Sequence, residues 1–199
     1  MTLSGSPGLR HLVRHADDLV GGRLPGPRSG FENARQVAAV LADVLGDADL
    51  LPAELAAALP PDGFGKYLLF ASPAFVVFAT VTAPEVAAPI HDHGSWGVVG
   101  LWRGREEEVR YRLSAAGEGL AEAGRKGYAA GDVMIVEPPP DDVHQVFNTS
   151  GRPSVSVHLF AGDLVTSGFR VWAGPAAKAR HTGPLAYDDQ PALGTVGAR

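Results

Sequence analysis

The sequence contains no cysteine in its 199 residues. That absence excludes a disulfide framework, a cysteine-ligated zinc site and an iron–sulfur cluster, and it fits a reducing cytosol. Positive charge is not in excess either, because 17 lysines and arginines stand against 22 aspartates and glutamates, which gives a net charge of -5. We therefore expect no nucleic-acid partner and no membrane-surface partner.

Long hydrophobic runs are also missing. The most apolar region, residues 67–81, is too short for a bilayer and is interrupted by Pro73. The N-terminus has no uninterrupted apolar segment of the kind found in signal peptides, so we predict a cytoplasmic protein. What the chain does have is 45% apolar residues, enough for a core, together with 25 glycines and 16 prolines, which favour turns and short strands over a helical bundle.

Helical periodicity is confined to the first third of the chain. Apolar residues recur at helical spacing in residues 8–21 and again in residues 33–46, and Pro52 suits the first turn of a third, short helix. From Lys66 onward the pattern changes to ten short candidate strands separated by glycine, proline and aspartate turns. That pattern indicates a β-sandwich or barrel.

We predict one structural domain in three parts. A helical segment covers residues 1–62, a β-barrel covers residues 63–173 and a tail covers residues 174–199. No linker separates the helices from the barrel, so we expect the helices to pack against its outside. The predicted fold class is therefore mainly β, with α-helices at the N-terminus.

Histidines supply the strongest chemical signal. His91 and His93 are one residue apart in a candidate strand and so point to the same side of it. Two imidazoles on one face can bind one transition metal, and imidazole suits zinc, copper, iron and nickel. A third histidine, His144, follows a second strand-and-turn unit. We predict that these three residues bind one metal ion; the alternative is that they are ordinary polar residues of a barrel.

These two units resemble the motifs of the cupin superfamily. The first is His91-x-His93 followed by a strand and Gly104; the second runs from Gly131-Asp132 through a strand and a proline-rich bend to His144. The resemblance implies a double-stranded β-helix barrel. Many cupins add a glutamate ligand a few residues after the first pair, but residues 94–98 contain no strong ligand here. The glutamates at 106–108 are expected to be surface charges on alternating faces, which leaves a three-histidine site with open positions.

The strand Ser156-x-His158-x-Phe160 narrows the resemblance to one family. It is similar to the Ser-x-His-x-Tyr strand of the cysteine dioxygenase family of thiol dioxygenases, especially the bacterial 3-mercaptopropionate type, and the resemblance covers about residues 66–172. It implies an Fe(II) cofactor, with a small thiol and O2 as substrates and a sulfinate as product. It also implies catalytic roles for Ser156 and His158; the alternative is a satisfied pair of buried polar groups.

Two positions depart from the family pattern. The family tyrosine is Phe160 here, and phenylalanine has no hydroxyl to donate to bound oxygen or to a substrate carboxylate. The arginine of cysteine dioxygenases corresponds to Lys66, a point charge that cannot make a planar two-pronged contact. The mercaptopropionate type uses an arginine after the Ser-His strand, and Arg170 lies near that place. Both cations are equally well explained as solvated strand-end charges.

We predict that Phe160, Lys66 and Arg170 contribute to substrate binding. Trp96 is added as a candidate wall of the pocket, with plain core packing as its alternative. The missing tyrosine keeps two other functions open: a cupin oxygenase for a non-thiol substrate, and a cupin that binds a metal or small molecule without catalysis.

Overall fold

The structure is a computed structural model of the chain. It describes residues 6–20, 31–114, 119–138, 140–162, 164–183 and 187–188. The predicted tail therefore lies largely outside the described residues, and the three-part division of the chain remains a prediction.

Two helices precede the sheets, as the periodicity indicates. Helix α1 spans Pro7–Val20 and α2 spans Ala34–Leu45, and each buries one apolar face. The third expected helix is a 3₁₀ helix at Ala53–Ala57, preceded by Pro52. Among the described residues, no helix is long and apolar enough to cross a membrane.

Eleven strands are assigned in the described residues. In chain order they are β1 (Phe64–Ala71), β2 (Phe75–Thr82), β3 (Ile90–His91), β4 (Gly97–Arg103), β5 (Arg105–Leu113), β6 (Leu120–Ala129), β7 (Val133–Val136), β8 (His144–Asn148), β9 (Ser154–Ala161), β10 (Arg170–Trp172) and β11 (Arg180–His181). A short helix, α3 (Leu164–Ser167), separates β9 from β10. Strand β6 is much longer than the strand predicted at residues 128–130, because it is an exposed edge strand with no apolar alternation to reveal it.

The strands form two antiparallel sheets, one ordered β1-β2-β9-β4-β7 and the other β11-β10-β3-β8-β5-β6. Within them, β2-β9-β4-β7 and β3-β8-β5-β6 have the strand order of a jelly roll, the architecture of cupins. The predicted fold class is thereby confirmed: a mainly β, cupin-type barrel with N-terminal helices outside.

Side-chain alternation divides the five-stranded sheet into two faces. Val155, Val157 and Leu159 of β9 belong to the outer core beneath the helices. The intervening residues of β9 face the inside of the barrel, where Phe160 belongs to a second apolar cluster. Helix α2 packs closely on β4, since a Cβ at Gly100 would approach Leu41 Cγ to 2.8 Å. The helices therefore cover the outside of this sheet, and the inside remains available for a site.

Candidate metal centre

The three predicted ligands lie together at one end of the barrel. His91 of β3 pairs directly with His144 of β8 in the antiparallel register, and His93 follows His91 by two residues. The ring centroid of His91 lies 4.7 Å from those of both other histidines, and the His93–His144 centroid distance is 5.0 Å. One nitrogen from each ring lies within 4.8 Å of the other two, so the structure has a histidine group that could hold one metal ion.

Hydrogen bonds fix the orientation of two of these rings. His91 Nδ1 lies 2.8 Å from the Pro89 carbonyl oxygen, and His144 Nδ1 lies 2.9 Å from Glu108 Oε1. Both partners are acceptors, so each Nδ1 carries the proton and each Nε2 keeps its lone pair. A histidine ligand that donates its other N–H to a carboxylate or a carbonyl is the usual outer-shell arrangement of metal sites.

The electrostatic environment favours the neutral form of His91 and His93. Burial, followed by the neighbouring His144, lowers the pKa of His91 to about 3, and burial with the neighbouring imidazoles holds the pKa of His93 well below its ordinary value. The buried Nδ1 of His93 has no hydrogen-bond partner among the described residues. Neutral imidazole is the metal-binding form, and the spacing of the three rings fits a first-row divalent cation.

Two of the three glutamates expected at the surface are buried. Glu106 and Glu108 are only 5% and 2% exposed, whereas they were expected at the surface. Side chains alternate along β5, so Glu106 and Glu108 share a buried face and Glu107 lies on the opposite, more exposed face. The strand alternation was predicted, but burial was not, because the buried hydrogen-bond partners of these acids come from distant parts of the sequence.

Glu108 joins His144 to two further residues. Its carboxylate accepts hydrogen bonds from His144 Nδ1, from Arg110 Nε at 2.9 Å and from the Tyr128 hydroxyl at 3.2 Å. Burial alone would raise the pKa of Glu108, but the interactions with His144 and Arg110 outweigh it and leave the pKa below its ordinary value. A charged carboxylate on the proton-bearing side of His144 fixes the ring and increases its basicity as a ligand.

This arrangement gives a first prediction. Glu108→Gln should weaken metal binding by about 10- to 100-fold, because the amide accepts a hydrogen bond from His144 without providing a negative charge. The measurement is metal competition against a chelator of known affinity. Glu107→Gln, the same change one residue away on the outer face, should have no effect. Equal affinities for the two variants would show that Glu108 does not support the site.

Two aspartates anchor the loops that carry the ligands. Asp142 Oδ2 accepts hydrogen bonds from the backbone N–H groups of His93 and Gly94 at 3.0 and 2.9 Å. Asp92 is 2% exposed and pairs with Arg170, whose Nε lies 2.5 Å from Asp92 Oδ2. Neither aspartate was predicted from the sequence. The one available signal was the placement of each acid within two residues of a histidine ligand.

Ser156 and His158 lie in the same interior as the histidine ligands and are joined by a third residue. Ser156 Oγ lies 2.9 Å from His158 Nε2, and Thr80 Oγ1 lies 2.7 Å from Ser156 Oγ and 3.1 Å from the same nitrogen. Burial, followed by His144, lowers the pKa of His158 to about 3. The ring is therefore neutral and stacks on Phe78 with centroids 4.7 Å apart. Thr80 was not predicted, since only the pairing of β2 with β9 brings it here.

A cavity of about 150 Å³ connects these groups. The three histidine ligands, Ser156, His158 and Thr80 line it, and so do Lys66 and Glu106. Most of the remaining wall is apolar, including Phe64, Phe78, Met134, Val146, Leu164 and Phe169. Lys66 is the one lysine or arginine among the described lining residues. The lining therefore combines an apolar surface with a few polar groups, as small-molecule sites do.

The other expected substrate residues occupy different places. Phe160 is fully buried and stacks on the His93 ring, with centroids 4.0 Å apart and an interplanar angle of 13°. Trp96 lies in the outer core, because it shares the face of Val98 beneath the helices. Arg170 is bound to Asp92. Phe160, Trp96 and Arg170 are not among the described residues that line the cavity.

Solved structures similar to this chain share limited sequence identity and limited structural similarity with it. No protein-family model matches the chain. A Cupin 2 conserved barrel domain protein from Salinispora arenicola CNS-205 is 25% identical over 52% of this chain and 81% of its own, with a TM-score of 0.40. A cupin superfamily protein from Desulfitobacterium hafniense DCB-2 is 10% identical over 57% and 92%, with a TM-score of 0.43. Oxalate oxidase in complex with the substrate analogue glycolate is 16% identical over 52% and 53%, with a TM-score of 0.42.

Proposed function

We propose that the protein is a non-haem iron(II) thiol dioxygenase-like enzyme of the cysteine dioxygenase type. The observation that carries the proposal is a three-histidine set that shares one cavity with the hydrogen-bonded Ser156–His158 pair. Iron(II), when bound, would supply the redox chemistry by which both atoms of O2 are added to sulfur, RSH + O2 giving RSO2H. The reaction is balanced without a further reductant, so a small thiol and O2 are the partners we expect.

Lys66 is the residue we assign to an anionic group of the substrate. Lys66 lines the cavity, and its charge helps to lower the pKa of the His91 ring. Burial lowers the pKa of Lys66, although Asp188 opposes the effect. A partly desolvated cation in an apolar cavity attracts a carboxylate more strongly than a cation in water does. The thiol is therefore proposed to carry a carboxylate or a similar anion close to its sulfur.

The group formed by Thr80, Ser156 and His158 is the part of the chain we assign to proton handling. Hydroxyl and neutral imidazole groups both donate and accept hydrogen bonds, so the three residues can redistribute a proton without creating a buried charge. His158 is held in place by stacking on Phe78. The chain thus provides a fixed hydrogen-bonding group in the cavity that the three histidines also line.

Phe160 favours a second candidate, a cupin oxygenase for a non-thiol, less polar substrate. The ring covers one face of His93 and excludes water there, but it offers no hydrogen bond to an anion. With the apolar lining of the cavity, that arrangement is suited to an aromatic or diketone ligand. A cupin that binds a metal or small molecule without catalysis is the third possibility.

Oxygen uptake tests the proposal directly. Protein loaded with Fe(II) under anaerobic conditions should consume O2 when 3-mercaptopropionate, cysteine or a related small thiol is added, with one sulfinate formed per O2. 3-Hydroxypropionate, which has a hydroxyl in place of the thiol, is the matched control and should give no uptake. Absence of turnover across the thiol panel would overturn the proposal.

Other outcomes of the same assay distinguish the remaining candidates. Uptake with aromatic or diketone substrates alone would select the non-thiol oxygenase. Protein purified with mostly zinc or nickel, and with no uptake in the iron form, would select the non-catalytic cupin.

A further inference from the structure

One polar side chain of the cavity has no part in the function proposed above. Glu106 lines the cavity but belongs to a different rung of the barrel from the histidine ligands. It pairs with Asn148 of β8, four residues beyond His144, which corresponds to roughly 13 Å along a strand. Glu106 therefore lies at the end of the cavity remote from the histidines.

The five-stranded sheet, which faces β5 across the cavity, also separates Glu106 from the histidine end. Ser154 Oγ donates a hydrogen bond of 2.7 Å to Glu106 Oε1, and Ser154 is four residues from His158 on β9. Thr82, the partner of Ser154 in the β2–β9 register, also lines the cavity. Both sheets thus give the cavity two separated polar ends, one at the histidine ligands and one at Glu106.

The protein offers the buried carboxyl of Glu106 few interactions in place of its lost hydration. It is 5% exposed, and the bond from Ser154 is its one hydrogen bond among the residues described, with no ion pair. Of the other ionisable groups on the surrounding strands, Tyr128 donates to Glu108, and His158 is bonded to Ser156 and Thr80. Lys66 lines the same cavity but forms no ion pair with Glu106. The second carboxyl oxygen is therefore available to a ligand.

Burial disfavours the charged form of Glu106, and this indicates that a positively charged ligand would be favoured. Burial raises the pKa of Glu106 to about 7, although the hydrogen bond from Ser154 opposes the shift. A neighbouring cation would favour the charged carboxylate and so offset its loss of hydration. A strongly perturbed acid inside a cleft is also a typical feature of a binding site.

We propose that Glu106 is a second recognition point, which binds an ammonium group at the far end of an elongated ligand whose thiol lies at the histidines. The inference rests on the proposed function for the position of the thiol, and it deepens that function by naming the substrate class. The preferred substrate is then a thiol that carries an ammonium group at its far end, in addition to the anion assigned to Lys66, rather than one of the shortest members of the thiol panel. Glu106 acts as a specificity-determining residue and takes no part in the oxidation.

Anaerobic calorimetric titration of the full chain with three probes tests this assignment. 6-Amino-1-hexanethiol has the ammonium at a distance from the thiol, 6-mercaptohexanoate has a carboxylate in that place, and 2-aminoethanethiol has the ammonium on a short chain. We expect the long aminothiol to bind about tenfold or more tightly than either of the others, as is typical for a hydrogen bond to a charged group. Equal or tighter binding of the carboxylate would overturn the inference without any variant.

Paired variants locate the preference on the protein. Glu106→Gln keeps the shape of the side chain and should remove most of the tenfold preference for the long aminothiol. Glu107→Gln, on the exterior of the same strand, should retain the preference. Thermal unfolding of both variants checks that they are folded. A Glu106→Gln protein that is folded and retains the preference would overturn the assignment.

The titration and the oxygen assay fail independently. A preference that depends on Glu106, in a protein that oxidises no thiol, would refute the proposed oxidation and leave the recognition point standing. Thiol oxidation without any dependence on Glu106 would refute the recognition point alone.

Discussion

His144→Ala should leave the protein unable to retain its metal ion. His144 is one of the three histidines whose nitrogens lie within 4.8 Å of one another, and the described residues supply no carboxylate to that group to replace it. Loss of an outer-shell partner typically costs 10- to 100-fold in affinity, so loss of a ligand should cost more than about 100-fold. The measurement is metal content after desalting against a chelator, with affinity determined by competition.

His11→Ala is the matched control for this experiment. His11 is an exposed histidine of helix α1, so the same change there removes an imidazole without touching the cavity. Metal content should equal that of the unaltered protein. If His144→Ala retained as much metal as His11→Ala, the ligand assignment would be wrong, and the thiol dioxygenase proposal would lose its basis. Circular dichroism of both variants shows whether the barrel remains intact.

The histidine group could be predicted because its members carry local signals. The two-residue period of a strand predicted one face for His91 and His93, although β3 ends at His91. His144 follows a turn and a proline-rich bend that ends the preceding strand. Their convergence depends on one long-range fact, the pairing of β3 with β8, and the jelly-roll order supplies it. The resemblance to the cupin motifs was therefore sufficient to predict the fold and to select the three residues.

The groups around the histidines could not be predicted in the same way. Thr80 and Glu108 reach the site from β2 and β5, and no local motif marks either residue. Asp142 had one local signal, its position two residues before His144. Three successive glutamates in β5 look like a solvated strand, and only the partners of Glu106 and Glu108 in the fold explain why these two are buried. Buried polar residues are the weakest point of sequence-based prediction, since their hydrogen-bond partners are distant in the chain.

Gly97→Ala should both destabilise the barrel and disturb the metal site. Gly97 of β4 pairs directly with Phe160 of β9, and a Cβ at this position would overlap the Phe160 ring and lie 2.9 Å from the Leu159 carbonyl oxygen. Phe160 has no space to move into, because it is fully buried and stacked on His93. Overpacking of this kind typically costs about 1–3 kcal/mol of unfolding free energy. The glycine is therefore required by the ring that covers His93, one of the three predicted ligands.

Thermal unfolding measures this effect, with Gly124→Ala as the matched control. In a chain of this size each kcal/mol changes Tm by about 2–4 °C, so Gly97→Ala should lower Tm by several degrees. Gly124 lies in the exposed strand β6, where a Cβ would meet no other atom within 4 Å, so alanine there should leave Tm unchanged or slightly higher. Metal affinity should fall in Gly97→Ala alone, since displacement of Phe160 moves the ring of His93. Equal Tm values and equal metal affinities for the two variants would show that the contact between Gly97 and Phe160 does not hold this ligand in place.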